Sequence, residues 1–302
     1  MSTLPEARDG LQRVGYLGPQ GTFSEEALLA SVQGETVEPV AMASIYDTIR
    51  ALRQGFVRWA IVPIENSLEG SISVTLDELA GEPADLKIVG EVVLRVRHAL
   101  IATEMLPLAE IETVMTHPQV PGQCTQLLRE ELAGARVLAA TSTAEAVRCV
   151  LAKGRRGASA IGTPLAARIY GGTVIRSGVE DREDNETRFV WLARTEEQSP
   201  APLHERGAGW KTSLVFWGLG AERPGWLVQC LDEFARRAIN LTKIESRPRR
   251  ERLGSYNFFA DLSGALHEAE LAAAVEGLRG HCEEVRVLGS YPAAARELPH
   301  SA

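Results

Sequence analysis

A hydroxyl, an amide and a cation stand side by side in Asp184-Asn185-Glu186-Thr187-Arg188, directly before the apolar run Phe189-Val190-Trp191-Leu192-Ala193. That run has the length and the β-favouring content of a buried strand. In an α/β protein the strand holds such residues still while the adjoining loop stays open to ligand. The three polar groups therefore meet at the mouth of a buried strand, where an α/β protein usually places chemistry. Taken alone, the stretch reads equally as a loop before a strand, with Arg188 solvated.

Three other strand ends carry polar side chains. Trp59-Ala60-Ile61-Val62-Pro63-Ile64 runs into Glu65-Asn66-Ser67, which either line a site or cap the following helix. Ile111-Glu112-Thr113-Val114-Met115 opens into Thr116-His117-Pro118-Gln119 and then Gln123, where His117 beside Pro118 reads as a structural or capping histidine. Val14-Gly15-Tyr16-Leu17 breaks at Gly18-Pro19-Gln20-Gly21 before Thr22, which with Glu25 has the spacing of a capping box. The turn is either structural or an anion cradle of backbone N–H groups, and it fits neither common phosphate-loop pattern.

The elements that must position these residues alternate. Strands predicted at Val14–Leu17, Trp59–Ile64, Lys87–Leu94, His98–Ile101, Ile111–Met115, Ser159–Gly162 and Val174–Ile175 are interleaved with helices at 45–52, 74–79, 124–132, 142–152 and 164–170, so one or two mainly parallel sheets are expected. The segment from Arg194 to Gly209 turns polar and reads as a linker. Beyond it the order βαββαβ predicts a ferredoxin-like unit, and residues 236–252 within it hold seven basic and two acidic side chains, net +5. That basic stretch is either a solvated hairpin or a carboxylate or subunit contact.

At 302 residues, 45% of them hydrophobic and 24% charged, the chain is long enough for two or three soluble domains. A net charge of −8 supplies no global field for nucleic acid. Cys124, Cys149, Cys230 and Cys282 are scattered without zinc-ligand spacing and read as reduced core thiols, with no metal expected. No signal-like or membrane-spanning run is present, so a cytoplasmic location is expected, with no membrane partner.

Gly15-Tyr16-Leu17-Gly18-Pro19-Gln20-Gly21-Thr22-Phe23-Ser24, Val62-Pro63-Ile64-Glu65-Asn66-Ser67, Thr116-His117-Pro118-Gln119, Ser142-Thr143-Ala144-Glu145-Ala146 and Thr187-Arg188-Phe189 together resemble the successive motifs of the prephenate dehydratase family. The C-terminal unit, with Glu245-Ser246-Arg247-Pro248, resembles that family's ACT regulatory domain. The resemblance implies a two-lobed, periplasmic-binding-protein-like catalytic domain over residues 12–194 with its active site in the cleft, a linker over 195–209, and an ACT domain over 210–292. It implies conversion of prephenate to phenylpyruvate with loss of carbon dioxide and water, without cofactor. It also implies Thr187 as the acid, with Glu65, Asn66 and Gln123 lining and orienting the site as further catalytic residues and Thr116 at its edge; Arg188 and the backbone amides near Thr22 are physical candidates for the substrate carboxylates, with Ser67 and Phe189 as further expected substrate contacts.

Two departures from the family pattern stand out. Thr116 replaces the more usual serine and keeps the hydroxyl. The effector motif Gly-Ala-Leu-Val becomes Gly225-Trp226-Leu227-Val228, in which Trp226 either fills the phenylalanine pocket or points into a subunit interface. Phenylalanine or another aromatic amino acid is the expected effector, and a homodimer or homotetramer the expected assembly. The rival readings are an arogenate dehydratase, a non-aromatising prephenate decarboxylase, and a non-catalytic amino-acid sensor.

Overall fold

The computed structural model describes residues 11–32, 36–203, 209–218 and 223–294. The chain opens with β1 (Gln12–Leu17), α1 (Phe23–Ser31), β2 (Val37–Met42), α2 (Ile45–Arg53), β3 (Trp59–Asn66), β4 (Gly70–Ser71), α3 (Ser73–Ala80) and β5 (Leu86–Arg95). It then crosses to a second lobe made of β6 (Ala99–Ala102), β7 (Thr113–Thr116), β8 (Arg136–Ala139), α4 (Thr143–Lys153), β9 (Ala158–Gly162), α5 (Pro164–Tyr170) and β10 (Thr173–Ser177). β11 (Glu186–Arg194) returns to the first lobe, between β3 and β5.

The sheet orders are β2-β1-β3-β11-β5 in the first lobe and β10-β6-β9-β7-β8 in the second. Neither is mainly parallel, contrary to the sequence expectation. β11 runs antiparallel to both its neighbours, and β6 runs antiparallel to β9 and β10. The reason is the double crossing: a strand that comes back from the other lobe enters its sheet from the opposite end. The two crossings are stitched together where the Val96 amide donates to the Asn185 carbonyl at 2.8 Å and the Gly178 amide to the His98 carbonyl at 2.9 Å.

Two further local expectations change. The helix expected over 124–132 runs from 125 to 131 and is mostly π-helical, at Leu127–Glu131, after a 3₁₀ turn at Val120–Gly122. The Asp181 carboxylate accepts from the amides of Thr125 and Gln126 at 2.7 and 2.9 Å, occupying two donors at the start of that helix. The unexpected strands β2 and β8 lie at sheet edges, where Pro39 costs no ladder bond if its side faces solvent.

The C-terminal unit comprises β12 (Trp210–Trp217), α6 (Trp226–Ala235), β13 (Leu241–Pro248), β14 (Tyr256–Ser263), α7 (Ala269–Arg279) and β15 (Glu284–Pro292), in sheet order β13-β14-β12-β15. This is the expected split βαββαβ topology. One face of its sheet packs on α6 and α7 through Phe216, Phe234, Leu271 and Leu278. The other face joins a core shared with the first lobe, in which Val215, Phe259, Leu288 and Tyr291 meet Val62, Val190 and Leu192. At that junction a Cβ on Gly289 would stand 2.1 Å from the Ile88 carbonyl oxygen, so only glycine permits the approach of β15 to β5.

The expected linker over 195–209 is a strap along its described part: Arg58 binds the Glu197 carboxylate through two bonds of 2.9 and 3.0 Å, and Lys87 donates to the Glu197 carbonyl at 2.6 Å. The rest of that stretch, 204–208, lies outside the described residues. Among the described residues no helix is long and apolar enough to cross a membrane.

Candidate active site

β3 and β11 are paired so that Thr187 stands opposite Asn66 and Arg188 opposite Glu65, after which the register slips and Phe189 stands opposite Pro63. The extra residue on β3 is Ile64. In an unbroken strand Asn66 would share a face with Val62 and Ile64, which point into the core shared with the C-terminal unit. The bulge turns Asn66 to the opposite face, where the gap between the lobes lies.

The Asn66 carboxamide is fixed on both sides. Its Oδ1 accepts from the amides of Leu68 and Glu69, each at 2.9 Å. Its Nδ2 faces Thr187 Oγ1 at 2.9 Å, Asn185 Oδ1 at 2.8 Å and the Glu186 carbonyl at 3.1 Å. Because Nδ2 only donates, Thr187 Oγ1 accepts there, and its own O–H is left to point elsewhere.

That hydroxyl lines a cleft of about 440 Å³ between the lobes, within the usual range for a small-molecule site. Asn66 and Thr187 come from the first sheet, Val96, His98 and Asn185 from the crossings, and His117, Gln119 and Gln123 from the second lobe. Gln123 Oε1 faces His98 Nε2 at 3.1 Å and the Asn185 Nδ2 donor at 3.3 Å, while its Nε2 donates to Glu69 Oε1 at 3.3 Å. Since Oε1 only accepts, His98 carries its proton on Nε2 in this network. Burial lowers the His98 pKa, with the Gln123 hydrogen bond and the charge of Glu180 opposing, so the ring stays neutral. Glu69 also accepts from Gln119 Nε2 at 3.2 Å and so spans the two lobes.

Two helices end on the cleft with their N-termini. α1 is capped by Thr22, whose Oγ1 accepts from the Glu25 amide at 3.4 Å, and α4 by Ser142, whose Oγ accepts from the Glu145 amide at 3.0 Å. Thr22, Phe23 and Ser24 face Thr141, Ser142 and Thr143 across the gap. The first N–H groups of each helix have no intrahelical partner, and the helix dipole adds positive potential there. No lysine or arginine is among the described residues lining the cleft, which leaves these helix-terminal amides as its candidates for holding an anion. The turn before α1 is clamped from the other lobe: Thr163 Oγ1 donates to the Gly21 carbonyl at 2.6 Å and Tyr170 OH to the Gln20 carbonyl at 2.8 Å. Gly21, at φ +84°, brings its Cα against Ala166 so closely that a Cβ would lie 2.9 Å from it.

Of the residues singled out in the sequence, the structure brings Thr22, Asn66, Gln123 and Thr187 to this cleft. Others go elsewhere. Arg188, expected at a substrate carboxylate, is buried on the opposite face of β11, with Nη2 2.7 Å from Asp261 and 3.2 Å from Glu65, and Nη1 3.1 Å from Glu91. Burial disfavours its cation, yet its pKa is raised on balance by Asp261, then Tyr291, Glu91 and Glu65. Glu65 accompanies it and meets Lys243 of the C-terminal unit at 3.1 Å, outside the residues that line the cleft. Thr116 is buried and donates to the Ile161 carbonyl at 2.9 Å, within the second sheet and outside the residues lining the cleft. Phe189 packs in the core with Tyr16 and Trp191. Ser67 is exposed and ties the returning crossing by accepting from the Glu186 amide at 2.9 Å. Strand alternation on either side of a bulge separates these neighbours, and no single spacing in the sequence announces a bulge.

Glu69, His98 and Asn185 were not assigned roles from sequence. Ser142 and Thr143 were visible only as a helix cap, and His117, which accepts from the Gln119 amide at 3.4 Å, is a capping histidine that also lines the cleft.

The expected effector residues also divide. Trp226 is 6% exposed, packs against Phe216 and Phe258, and donates from Nε1 to the His281 carbonyl at 2.7 Å, so its ring belongs to the core of its own domain. Leu227 packs beside it, whereas Gly225 and Val228 are exposed. On β13, Glu245 and Arg247 turn toward the first lobe, where Ser71 donates to Glu245 at 3.2 Å and Arg247 grips Asp77 with two bonds of 3.1 Å; Ser246 and Pro248 face outward.

The family model for prephenate dehydratase matches residues 14–197. A prephenate dehydratase of Mycobacteroides abscessus is 39% identical over 289 residues, spanning 93% of this chain and 90% of its own. Among solved structures, the prephenate dehydratase from Arthrobacter aurescens in complex with L-Phe aligns over 96% of this chain and 93% of its own, at 32% identity and a TM-score of 0.81. GqqA, described as a novel type of quorum-quenching acylase, aligns over 93% of this chain and 98% of its own, at 30% identity and a TM-score of 0.79.

Proposed function

We propose how the cleft works from the premise that this chain belongs to the prephenate dehydratase family: Thr187 protonates the departing ring hydroxyl of prephenate, and the N-termini of α1 and α4 hold the substrate's two carboxylates. The activity is that of the family, a carbon–oxygen lyase that converts prephenate to phenylpyruvate, carbon dioxide and water on the way to phenylalanine. Aromatisation of the ring supplies the driving force. The protein has to hold a dianion and ease the exit of hydroxide.

The observation that carries the reading is the 2.9 Å bond from Asn66 Nδ2 to Thr187 Oγ1. A hydroxyl oxygen that accepts from a fixed amide is polarised toward donating its own proton, which suits partial transfer to the leaving oxygen in the transition state. Gln123, His98 and Asn185 then form a neutral donor network that fixes Asn66 and orients the ring. Amides suit the anionic groups because they add no counter-charge to the chain and are already in place before substrate arrives.

Hydrolysis of an acyl bond, the activity given for GqqA, is less well served. Among the described residues neither cleft histidine bonds a cleft hydroxyl, since His98 faces Gln123 and His117 faces the Gln119 amide. Purified protein incubated with prephenate is expected to release phenylpyruvate, read by its absorbance in alkali, and Thr187→Val is expected to abolish most of it. Phenylpyruvate formation unaffected by that change would refute the assignment.

The C-terminal unit is proposed to be an ACT domain that binds phenylalanine, supported by its βαββαβ order and by the L-Phe complex of the Arthrobacter relative. Its edge strand β13 presents Ile244, 46% exposed, and α6 presents Val228, 70% exposed, which suits pairing with a second copy and an effector site shared between copies. A cytoplasmic homo-oligomer is the corresponding proposal for the whole enzyme. Calorimetry with phenylalanine and sedimentation of the full chain test these two points.

A further inference from the structure

The strands that carry the proposed acid and its partner also carry an ion network on their other face, and two members of that network, Glu65 and Arg188, adjoin members of the site in sequence. Asn66 and Thr187 face the cleft; Glu65 and Arg188, one residue earlier and one later, form the register pair next to them and face the C-terminal unit. Around Arg188 and Glu65 stand Glu91 of β5, and Lys211, Lys243 and Asp261 of the C-terminal sheet. Three cations meet three carboxylates across the junction. Lys211 reaches Glu91 at 2.7 Å, and the Ala294 amide donates to the same carboxylate at 3.0 Å.

The contacts of Arg188 Nη2 in this network differ from that of its Nη1, which donates to Glu91 at 3.1 Å. Arg188 Nη2 and Asp261 Oδ2 lie 2.7 Å apart, yet neither atom is in hydrogen-bond alignment with any partner, and both are buried. Asp261 is instead held from its own side: Ser213 Oγ donates to Oδ1 at 2.5 Å and is itself bonded to Tyr291 OH at 2.7 Å. A charge pair at contact distance but out of alignment is sensitive to small displacements, because rotation of either group gains or loses a strong directional bond. Asp261 moves with the C-terminal sheet and Arg188 with Thr187.

We infer that Arg188 is a positioning residue for the dehydratase reaction: clasped by Asp261, it sets the backbone of β11 at Thr187 and so ties the aim of the proposed acid to the seating of the C-terminal sheet. The inference rests on Thr187 being that acid. Arg188 touches neither the cleft nor any residue of it except through the chain, so its influence passes by way of the Thr187 backbone and the Glu65 to Asn66 step of β3.

Kinetics of the full-length enzyme with prephenate test this. Asp261→Asn is expected to lower kcat about tenfold, the scale of a sub-ångström misplacement of an acid, with KM changed less than about twofold, since no substrate contact is touched. In a Thr187→Val background the same Asp261→Asn change is expected to alter the residual kcat less than about twofold, because the group being aimed is gone. Ser213→Ala, which frees Asp261 without leaving a buried charge alone, is measured in both backgrounds and carries the test if circular dichroism shows Asp261→Asn unfolded. Arg188→Lys, which keeps the charge and loses the fork, is expected to fall between wild type and Asp261→Asn. An effect on KM alone, or an equal factor in both backgrounds, would overturn the inference. Near-normal kcat in Thr187→Val by itself would instead overturn the acid assignment, and the coupling with it.

Discussion

Replacing Thr187 by valine keeps the branched side chain and removes the hydroxyl, so the change isolates the chemistry. The structural cost is small and can be worked out. Asn66 Nδ2 has two hydrogens and three oxygens near it, and after the change Asn185 Oδ1 at 2.8 Å and the Glu186 carbonyl at 3.1 Å still satisfy both. No buried donor is orphaned, Thr187 is only half-buried, and the loss of stability should stay within about 1 kcal/mol, one net hydrogen bond. The kinetic cost is much larger. General-acid assistance of about 10²–10⁴ in rate corresponds to roughly 3–5 kcal/mol of barrier, so kcat for prephenate should fall by at least about a hundredfold. KM should move little, because the carboxylates are assigned to the two helix N-termini and not to this side chain. Thr187→Ser should stay within about tenfold of wild type, since it retains the O–H and its bond to Asn66. The assay is phenylpyruvate formation under saturating prephenate, with thermal unfolding recorded alongside. If Thr187→Val keeps more than about a tenth of wild-type kcat, or if its loss is matched by a collapse of the fold, the acid assignment fails.

Ser142→Asp keeps an equally good N-cap for α4 but sets a negative charge beside the proposed anion site, so KM for prephenate should rise about tenfold or more while the unfolding temperature is unchanged; an unchanged KM would remove that helix from binding. His98 has a folded pKa lowered by burial, so the unfolded chain binds its proton more tightly. Its stabilising contribution is therefore full above the ordinary pKa of about 6.5 and lost as the pH falls through it, and His98→Asn should lose less unfolding temperature than wild type on going from pH ~7.5 to ~5.5. Trp226→Ala empties part of the C-terminal core and should cost about 3–5 kcal/mol, seen in denaturant unfolding, before any gain in phenylalanine binding can be read from it.

Much of this fold could be read from residue patterns. The apolar runs at β3 and β11, the caps at Thr22 and Ser142, and the βαββαβ order of the C-terminal unit all stand where local sequence places them, because each is fixed by hydrophobic period or by a cap. Parallelism was misread because it depends on how many times the chain changes lobes, which no local window contains. Glu69 and His98 carry no local signal for a related reason: in the cleft each bonds Gln123, a partner 54 and 25 residues away in the chain. Trp226 was read as a plug or a subunit contact, whereas the tight approach of Gly218, whose Cβ would lie 3.3 Å from the ring, leaves room for the indole inside its own domain.

Arg188 shows most clearly where residue type alone misleads. An arginine next to a proposed acid, in an enzyme whose substrate is a dianion, invites the role of carboxylate anchor. Yet a strand offers its two faces to different neighbours, and β11 is covered on one side by the cleft and on the other by the C-terminal sheet. Placing a guanidinium in the cleft would have required it to share the side of Thr187, which is the side of Phe189 and Trp191 further along. The bulge at Ile64 then decides the matter for both strands, since it puts Glu65 opposite Arg188 on the outer face and turns Asn66 inward to meet Thr187. Positive charge is thereby placed at the junction between domains, beside three carboxylates, and the cleft presents neutral donors, helix ends and, among the described residues, the single carboxylate of Glu69. The proposed anion site of amides would hold product less tightly than a buried arginine pair, which would favour release of phenylpyruvate once the second carboxylate has left as carbon dioxide.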